Sequence, residues 1–297
     1  VSEYVPGATY VALGANLQNV INTASPGDTI LLSQGLYTQN ISIDKHLKLI
    51  GAGSGSDPAK DTILHPTSGN VVVITGSGVS NSDPMLLKNL RVETMGLVGI
   101  DLRNTNFVRF ENVQVAGDAT PHGENEMCLR VDKLVSVSDL TIVDSGFSQC
   151  DYGWYFFKSE VADWATGGTY VRNVAVANTS FIENSYKGIY AEKLSDASFV
   201  DCVVRDNGHY DFWNGVWNAG IDINLKGQEM YKNLTFKNLY MAGNGLGAKE
   251  GAGLMVKARD DATSYNAYPA SLTNVTIEGG TFTGNERGIR IGEPGKN

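Results

Sequence analysis

The chain has 297 residues, is 42% hydrophobic, contains 34 glycines and carries a net charge of −9. This balance excludes a disordered chain, the acidic sign argues against a general nucleic-acid binder, and no apolar run is long enough to span a bilayer. Cys128, Cys150 and Cys202 lack metal-binding spacing and are odd in number, so they are read as small buried hydrophobes. The first residue is Val1 rather than Met, as expected of a mature or excised segment.

The first periodic element is Asn16 to Ala24, where Leu17, Val20, Ile21 and Ala24 share a helical face, Asn16 is the N-cap and Ser25-Pro-Gly27 is the stop. A helix there is expected to plug one end of a stack of strands, with about residues 1–30 forming a cap. Apolar stretches follow at Gly27 to Leu32, Gly35 to Gly53 and Thr62 to Leu64. Residues 15–65 resemble the first coils of the pectate-lyase-like β-helix superfamily, which includes pectin methylesterases and pectate and alginate lyases. The Gly35-x-Tyr37-x-Gln39 element is similar to the Gly-x-Tyr-x-Glu of pectin methylesterases, with Gln39 in place of Glu. Their Gln-Asp and Asp-Phe-x-Phe-Gly elements are absent. The polygalacturonan hydrolases carry an acidic pair before a Gly-His-Gly, whereas here Gly208-His209-Tyr210 precedes Asp260-Asp261. The resemblance implies architecture and leaves both of those activities without their motifs.

From Leu86 onward an anchor recurs as Asn89-Leu-Arg-Val92, Asn112-Val-Gln-Val115 and Asp139-Leu-Thr-Ile142. The pattern is clearest from Asn173 to Gly292. Each unit has an Asn or Asp anchor (173, 196, 233, 274), a second Asn eleven residues later (184, 207, 244, 285), and a closing Gly-Ile-x-Ile-like strand at 188, 220, 253 and 288. Anchors are separated by 23, 37 and 41 residues, so the core is constant and the loops vary. A unit with three short period-2 strands cannot bury its apolar side alone and must stack on copies of itself. The expected fold is all-β: a single-stranded, right-handed parallel β-helix forming one domain over 1–297, capped by the N-terminal helix.

Alternation places Ile100/Leu102, Met127/Leu129, Trp154/Phe156, Ile189/Ala191, Ile221/Ile223, Leu254/Val256 and Ile289/Ile291 inside as seven rungs. The second Asn should stack as a buried amide ladder, with Cys150 in that slot one coil earlier. The outward residues run from aromatic to charged. Tyr155, Phe157 and Tyr190, with Trp213, Trp217 and His209 from the 209–219 insertion, are candidates for contact with sugar rings. Lys257, Arg259 and Arg290 are candidate catalytic cations, either of the first two as base and Arg290 as a carboxylate clamp. Glu192, Asp222 and Asp260 are candidate Ca²⁺ ligands. Glu192 with Asp222 is alternatively an acid/base pair for glycoside hydrolysis, and the competing reading of all these charges is salt-bridge ladders on stacked strands.

The expected function is an extracellular or cell-surface module engaging a polysaccharide, a lyase on an acidic polymer if it is an enzyme. The alternatives are a non-catalytic adhesive rod and a glycoside hydrolase. The last repeat reaches Ile291 without a second capping helix, so a further coil or a partner is expected on that end.

Overall fold

A computed structural model describes residues 6–158, 164, 168–210 and 217–292. Three strands make each coil: one coil runs Val171–Ala177, Ser180–Ile182 and Lys187–Ala191, and the next runs Ser195–Val200, Val203–Arg205 and Ala219–Leu225. Every pairing between strands of the described residues is parallel and joins a strand to its counterpart one coil away. The chain is therefore a parallel β-helix. Its third stack holds nine strands, from Ile41–Ile43 to Ile289–Ile291.

The anchors mark backbone corners. Asn89, Asn112, Asp139, Asn173, Asp196, Asn233 and Asn274 all adopt φ between 51° and 58°, a left-handed conformation that Asn and Asp tolerate better than other residues with a Cβ. Their half-buried to exposed side chains are linked between coils, as in Asn233 Nδ2 donating to Asp196 Oδ1 at 2.6 Å and Asn274 Nδ2 to Asn233 Oδ1 at 3.0 Å.

The second Asn forms the buried ladder. Asn184 donates to Asn207 at 2.8 Å, Asn207 to Asn244 at 2.9 Å and Asn244 to Asn285 at 2.8 Å. Each Oδ1 also accepts the backbone N–H of the preceding Asn, and each remaining Nδ2 hydrogen reaches a strand carbonyl such as Phe181 O at 2.9 Å. A glycine column runs beside it: a Cβ on Gly220 would lie 2.6 Å from Gly253 O and 2.9 Å from Asn244 Cγ.

One rung departs from this pattern. Leu129 pairs with Ile100 and Trp154, which puts Cys128 in the glycine column. Cys150 occupies the ladder slot of the next coil, where the two columns touch, and the two cysteines form a disulfide with a Cα–Cα distance of 5.9 Å. The reading of the cysteines as small buried hydrophobes is completed for this pair by the bond between them; Cys202 is free and buried, and burial raises its thiol to about 11. The same register corrects a rung assignment. The inward pair is Leu129/Val131, not Met127/Leu129, because Cys128 rather than a glycine opens that strand. Met127 packs instead with Val98, Tyr152 and Tyr186 outside the main core. The outward pair of this coil is accordingly Arg130 and Asp132.

The core is columnar, with Phe147 stacked on Phe181 and Phe199 on Phe236 at 5.4 Å between centroids. Helix α1 spans Leu17–Thr23, with Asn16 Oδ1 accepting Asn19 N–H at 2.9 Å, and buries Leu17 and Ile21. Gln39 accepts the Leu17 N–H at 2.8 Å, so the residue that departs from the pectin-methylesterase pattern holds the start of the plug. At the other end Ile289 and Ile291 are 42% and 65% exposed.

Asn207→Ala removes an amide that uses both hydrogens and accepts two, and should cost about 3 kcal/mol from the buried groups left unmatched. Asn285→Ala, at the half-buried end of the ladder, should cost about 1 kcal/mol. Urea denaturation midpoints of the two variants test this order.

Candidate active site

The third stack carries two outward columns. Parallel register aligns Asp101, Arg130, Tyr155, Tyr190, Asp222, Met255 and Arg290 in the first. Glu192, Asn224 and Lys257 lie two residues further along the chain, Glu192 just past the end of its strand. At the early coils the column is an ion pair, with Arg130 bonded to both oxygens of Asp101 at 3.1 and 2.8 Å. It then becomes aromatic. Tyr155 stacks on Phe157 at 5.4 Å and packs against Tyr152 and Tyr190 at 4.9 and 5.7 Å, with Tyr155, Phe157 and Tyr190 half-buried.

Beyond Tyr190 the face turns charged and closes over. Asp222 is buried and receives Lys187 Nζ on Oδ2 at 2.6 Å and Lys257 Nζ near Oδ1 at 3.7 Å. Lys187 also lies over the Tyr190 ring, 4.1 Å from its centroid. The Tyr190 hydroxyl donates to Glu192 Oε1 at 2.6 Å and accepts from Asn224 Nδ2 at 3.0 Å. Glu192 further pairs with Lys226 and accepts the Lys158 N–H at 2.9 Å. The cover comes from the insertions: helix α2, Ala262–Ala267, brings Tyr265 to 4.1 Å from the Arg259 guanidinium and 5.3 Å from Trp164.

Burial dominates the electrostatics. It outweighs Asp222 and, with the neighbouring Lys257 and Lys226 charges, holds the Lys187 ammonium below its ordinary value. Burial also pushes Asp222 upward, but Lys187 and Lys257 together overcome it and keep the carboxyl below the usual range. The Tyr190 phenol is raised well above its ordinary value by burial and by Glu192 and Asp222, so it keeps its proton.

The structure brings Lys257, Asp222, Tyr190 and Glu192 into one network. Arg259 reaches the edge of this network, its Nη1 donating to Asn224 Oδ1 at 3.4 Å, and the remaining expected residues are placed elsewhere. Arg259 is held by Asp261 through Nε at 2.6 Å and a second nitrogen at 3.0 Å. Arg290 bonds Glu250 at 3.1 Å and reaches Met255 Sδ at 3.6 Å, beyond the Asp222 rung. His209 is exposed, its Nδ1 3.2 Å from Asp206 O, and Trp217 is 49% exposed. Trp213 lies outside the described residues. The proposed Ca²⁺ set does not fit: Glu192 and Asp222 are already matched by lysines, Asp260 is exposed, and the three are not among the carboxylate groups that converge. Asp222 is also unsuited to be the acid of a glycosidase, which needs a raised carboxyl.

Lys187 and Lys226 were missed in the sequence. Register places Lys187 in a column with Met127, Tyr152, Ala219 and Ala252. A charge at that apolar position, visible once the repeats are aligned, was the available signal. A cavity of about 950 Å³ lies apart from this site, on the N-terminal coils by Tyr10, Leu32, Lys60 and Lys88; no carboxylate or histidine lines it.

The family described as right handed beta helix region matches residues 70–267. The chain belongs to this family. Among solved structures the β-helix is similar to an alginate lyase from Paenibacillus sp. str. FPU-7, with 16% identity and a TM-score of 0.58, over 93% of this chain and 96% of that one. It is also similar to pectate lyase Pel9A, with 12% identity and a TM-score of 0.51, over 93% and 78% of the two chains. These likenesses establish a shared fold. No curated protein matches this chain in sequence.

Asp222→Asn leaves two buried lysines without their shared carboxylate and should destabilise the β-helix by about 3 kcal/mol near neutral pH. The Asp222 carboxyl is held below its unfolded value of about 3.9, so its contribution is complete above that pH and is lost as pH falls through the folded value. Chemical denaturation across the acid range should therefore show the gap between wild type and variant shrinking on acidification.

Proposed function

We propose that this β-helix is an extracellular polysaccharide lyase acting on a uronic-acid polymer, bound along Tyr155 and Tyr190 and cleaved beside Lys187 and Lys257. The observation that carries this reading is the convergence of two buried lysines on Asp222 next to a protonated phenol, where the aromatic strip meets the charged rungs. Elimination needs a base for the proton beside the carboxylate, a cation for the enolate that follows, and a donor for the departing oxygen. Lys187, whose ammonium gives up its proton more readily than an ordinary lysine, is the base. Its Nζ takes the C5 proton, the C4–O bond breaks as the C4–C5 double bond forms, and the Tyr190 hydroxyl returns a proton to the leaving oxygen. Lys257 faces the developing enolate charge. The base role thus moves from Lys257 or Arg259 to Lys187, because Arg259 is clamped by Asp261. The likenesses to an alginate lyase and a pectate lyase support the substrate class, and the Cys128–Cys150 disulfide supports an oxidising, extracellular setting.

A second reading, a non-catalytic rod that only binds polysaccharide, is favoured by the closure of the network, in which Arg259 is matched by Asp261 and Glu192 by Lys226. The two separate on a screen of alginate, polygalacturonate and neutral glycans, following unsaturated product by absorbance and binding by affinity electrophoresis. The lyase reading expects product from a uronate polymer, a loss of about 100-fold or more in kcat for Lys187→Ala and Tyr190→Phe, and a raised KM for Tyr155→Ala. Binding without product from any uronate polymer, or full activity in Lys187→Ala, overturns it.

Trp217→Ala tests the reach of the sugar-binding strip. The half-exposed ring is expected to contribute stacking, so the variant should bind polymer several-fold more weakly with an unchanged melting temperature.

A further inference from the structure

The loop between strands Thr105–Ala116 and Met127–Val131 holds a cluster that the network above does not use. Asp118, His122 and Glu126 each offer one ligand atom, and the three atoms lie within 4.8 Å of one another. His122 Nε2 is 3.0 Å from Asp118 Oδ1 and 4.0 Å from Glu126 Oε2. Glu126 is fully buried, and only half of its carboxylate is satisfied: Oε1 takes the Thr94 hydroxyl and the Gly96 N–H at 2.9 Å, while Oε2 has no hydrogen-bond partner. An unmatched carboxylate oxygen in the interior is costly unless something positive meets it.

The surroundings are built to present that oxygen. Asp151, one coil on, accepts the backbone N–H groups of His122, Asn125 and Glu126 at 3.0, 3.0 and 3.2 Å. A Cβ on Gly117 would come within 2.5 Å of Glu126 Oε2, and one on Gly96 within 2.9 Å of His122 Nδ1, so both glycines leave room for the acid and the ring.

We propose that Asp118, His122 and Glu126 bind a Zn²⁺-class divalent cation, with water completing the shell. One imidazole nitrogen with two carboxylates suits Zn²⁺ better than Ca²⁺, which takes six to eight oxygens. Zinc bonds of about 2.0–2.2 Å put tetrahedral ligands roughly 3.3 Å apart, between the 3.0 and 4.0 Å separations here. The ion would pin the loop to the coil before it through Thr94 and Gly96. From the same loop Glu124 accepts the Tyr152 hydroxyl at 2.7 Å, and Tyr152 packs on Tyr155 and Tyr190. The cation is thus a structural pin beside the aromatic strip, independent of whether that strip serves a lyase or a rod.

The rival is a protonated Glu126, which burial favours. Calorimetric titration of the chelator-stripped full chain with Zn²⁺ and separately with Ca²⁺, together with Co²⁺ absorption spectra and thermal melts, decides between them. The expected result is one Zn²⁺ per chain, a visible Co²⁺ spectrum of tetrahedral type and a melting temperature raised by Zn²⁺. His122→Ala and Asp118→Ala change partly exposed side chains; each should weaken Zn²⁺ at least about ten-fold and leave the metal-free melting temperature unchanged. No saturable Zn²⁺ binding, Zn²⁺ binding equally strong in both variants, or Ca²⁺ binding in its place overturns the proposal.

Discussion

In-register stacking of coils through the buried asparagine amides is the constraint on which the rest depends. Each amide at 184, 207 and 244 spends both hydrogens and its oxygen on a neighbouring coil and a strand carbonyl. A coil displaced along its strand direction would strand these groups in the interior, where unmatched polar atoms are expensive. The register survives loops of very different length because the lock sits in the core and the insertions leave it. Lys187 and Asp222 are 35 residues apart in sequence and meet at 2.6 Å because the lock aligns their strands.

The disulfide is a local replacement within that design. Where the glycine and asparagine columns touch in other coils, Cys128 and Cys150 substitute for both, and a covalent bond between coils takes the place of the amide contacts. The ladder resumes immediately, with the Cys150 N–H donating to Asn184 Oδ1 at 3.2 Å. The strand register runs through this rung without a shift, Leu129 pairing with Ile100 and Trp154, so Cys128 stands between Gly99 and Gly153 in the column.

Electrostatics divides the outer face of the third stack in two. At Asp101 and Arg130 charges are matched between adjacent coils, as on many stacked sheets. From Tyr190 onward the charges lie beneath inserted segments, and low polarity there moves Lys187 and Tyr190 away from their solution behaviour. That perturbation, coupled to an adjacent aromatic strip, distinguishes a candidate site from a charge ladder.

The repeat legibly determined the architecture: strict alternation, the eleven-residue spacing from anchor to ladder and the closing Gly-Ile-x-Ile strand dictate stacked coils, because no single coil can bury its own apolar side. The helix at Leu17–Thr23 was equally legible from its cap and apolar face. The anchors were visible as Asn or Asp, and their left-handed φ was implicit in that choice, though the reason emerged only from the backbone. The sequence also supplied Lys257, Asp222, Glu192 and Tyr190 as outward residues of neighbouring rungs. It could not show which of them share a network, because contacts between coils cross loops of variable length and depend on what covers the face. Lys187 became a partner of Asp222, Arg259 was claimed by Asp261, and Asp118, His122 and Glu126 converged only in three dimensions. The pairing of Cys128 with Cys150 was likewise a tertiary outcome: alternation says which way a side chain points, and only the stacking of one coil on the next says what it meets.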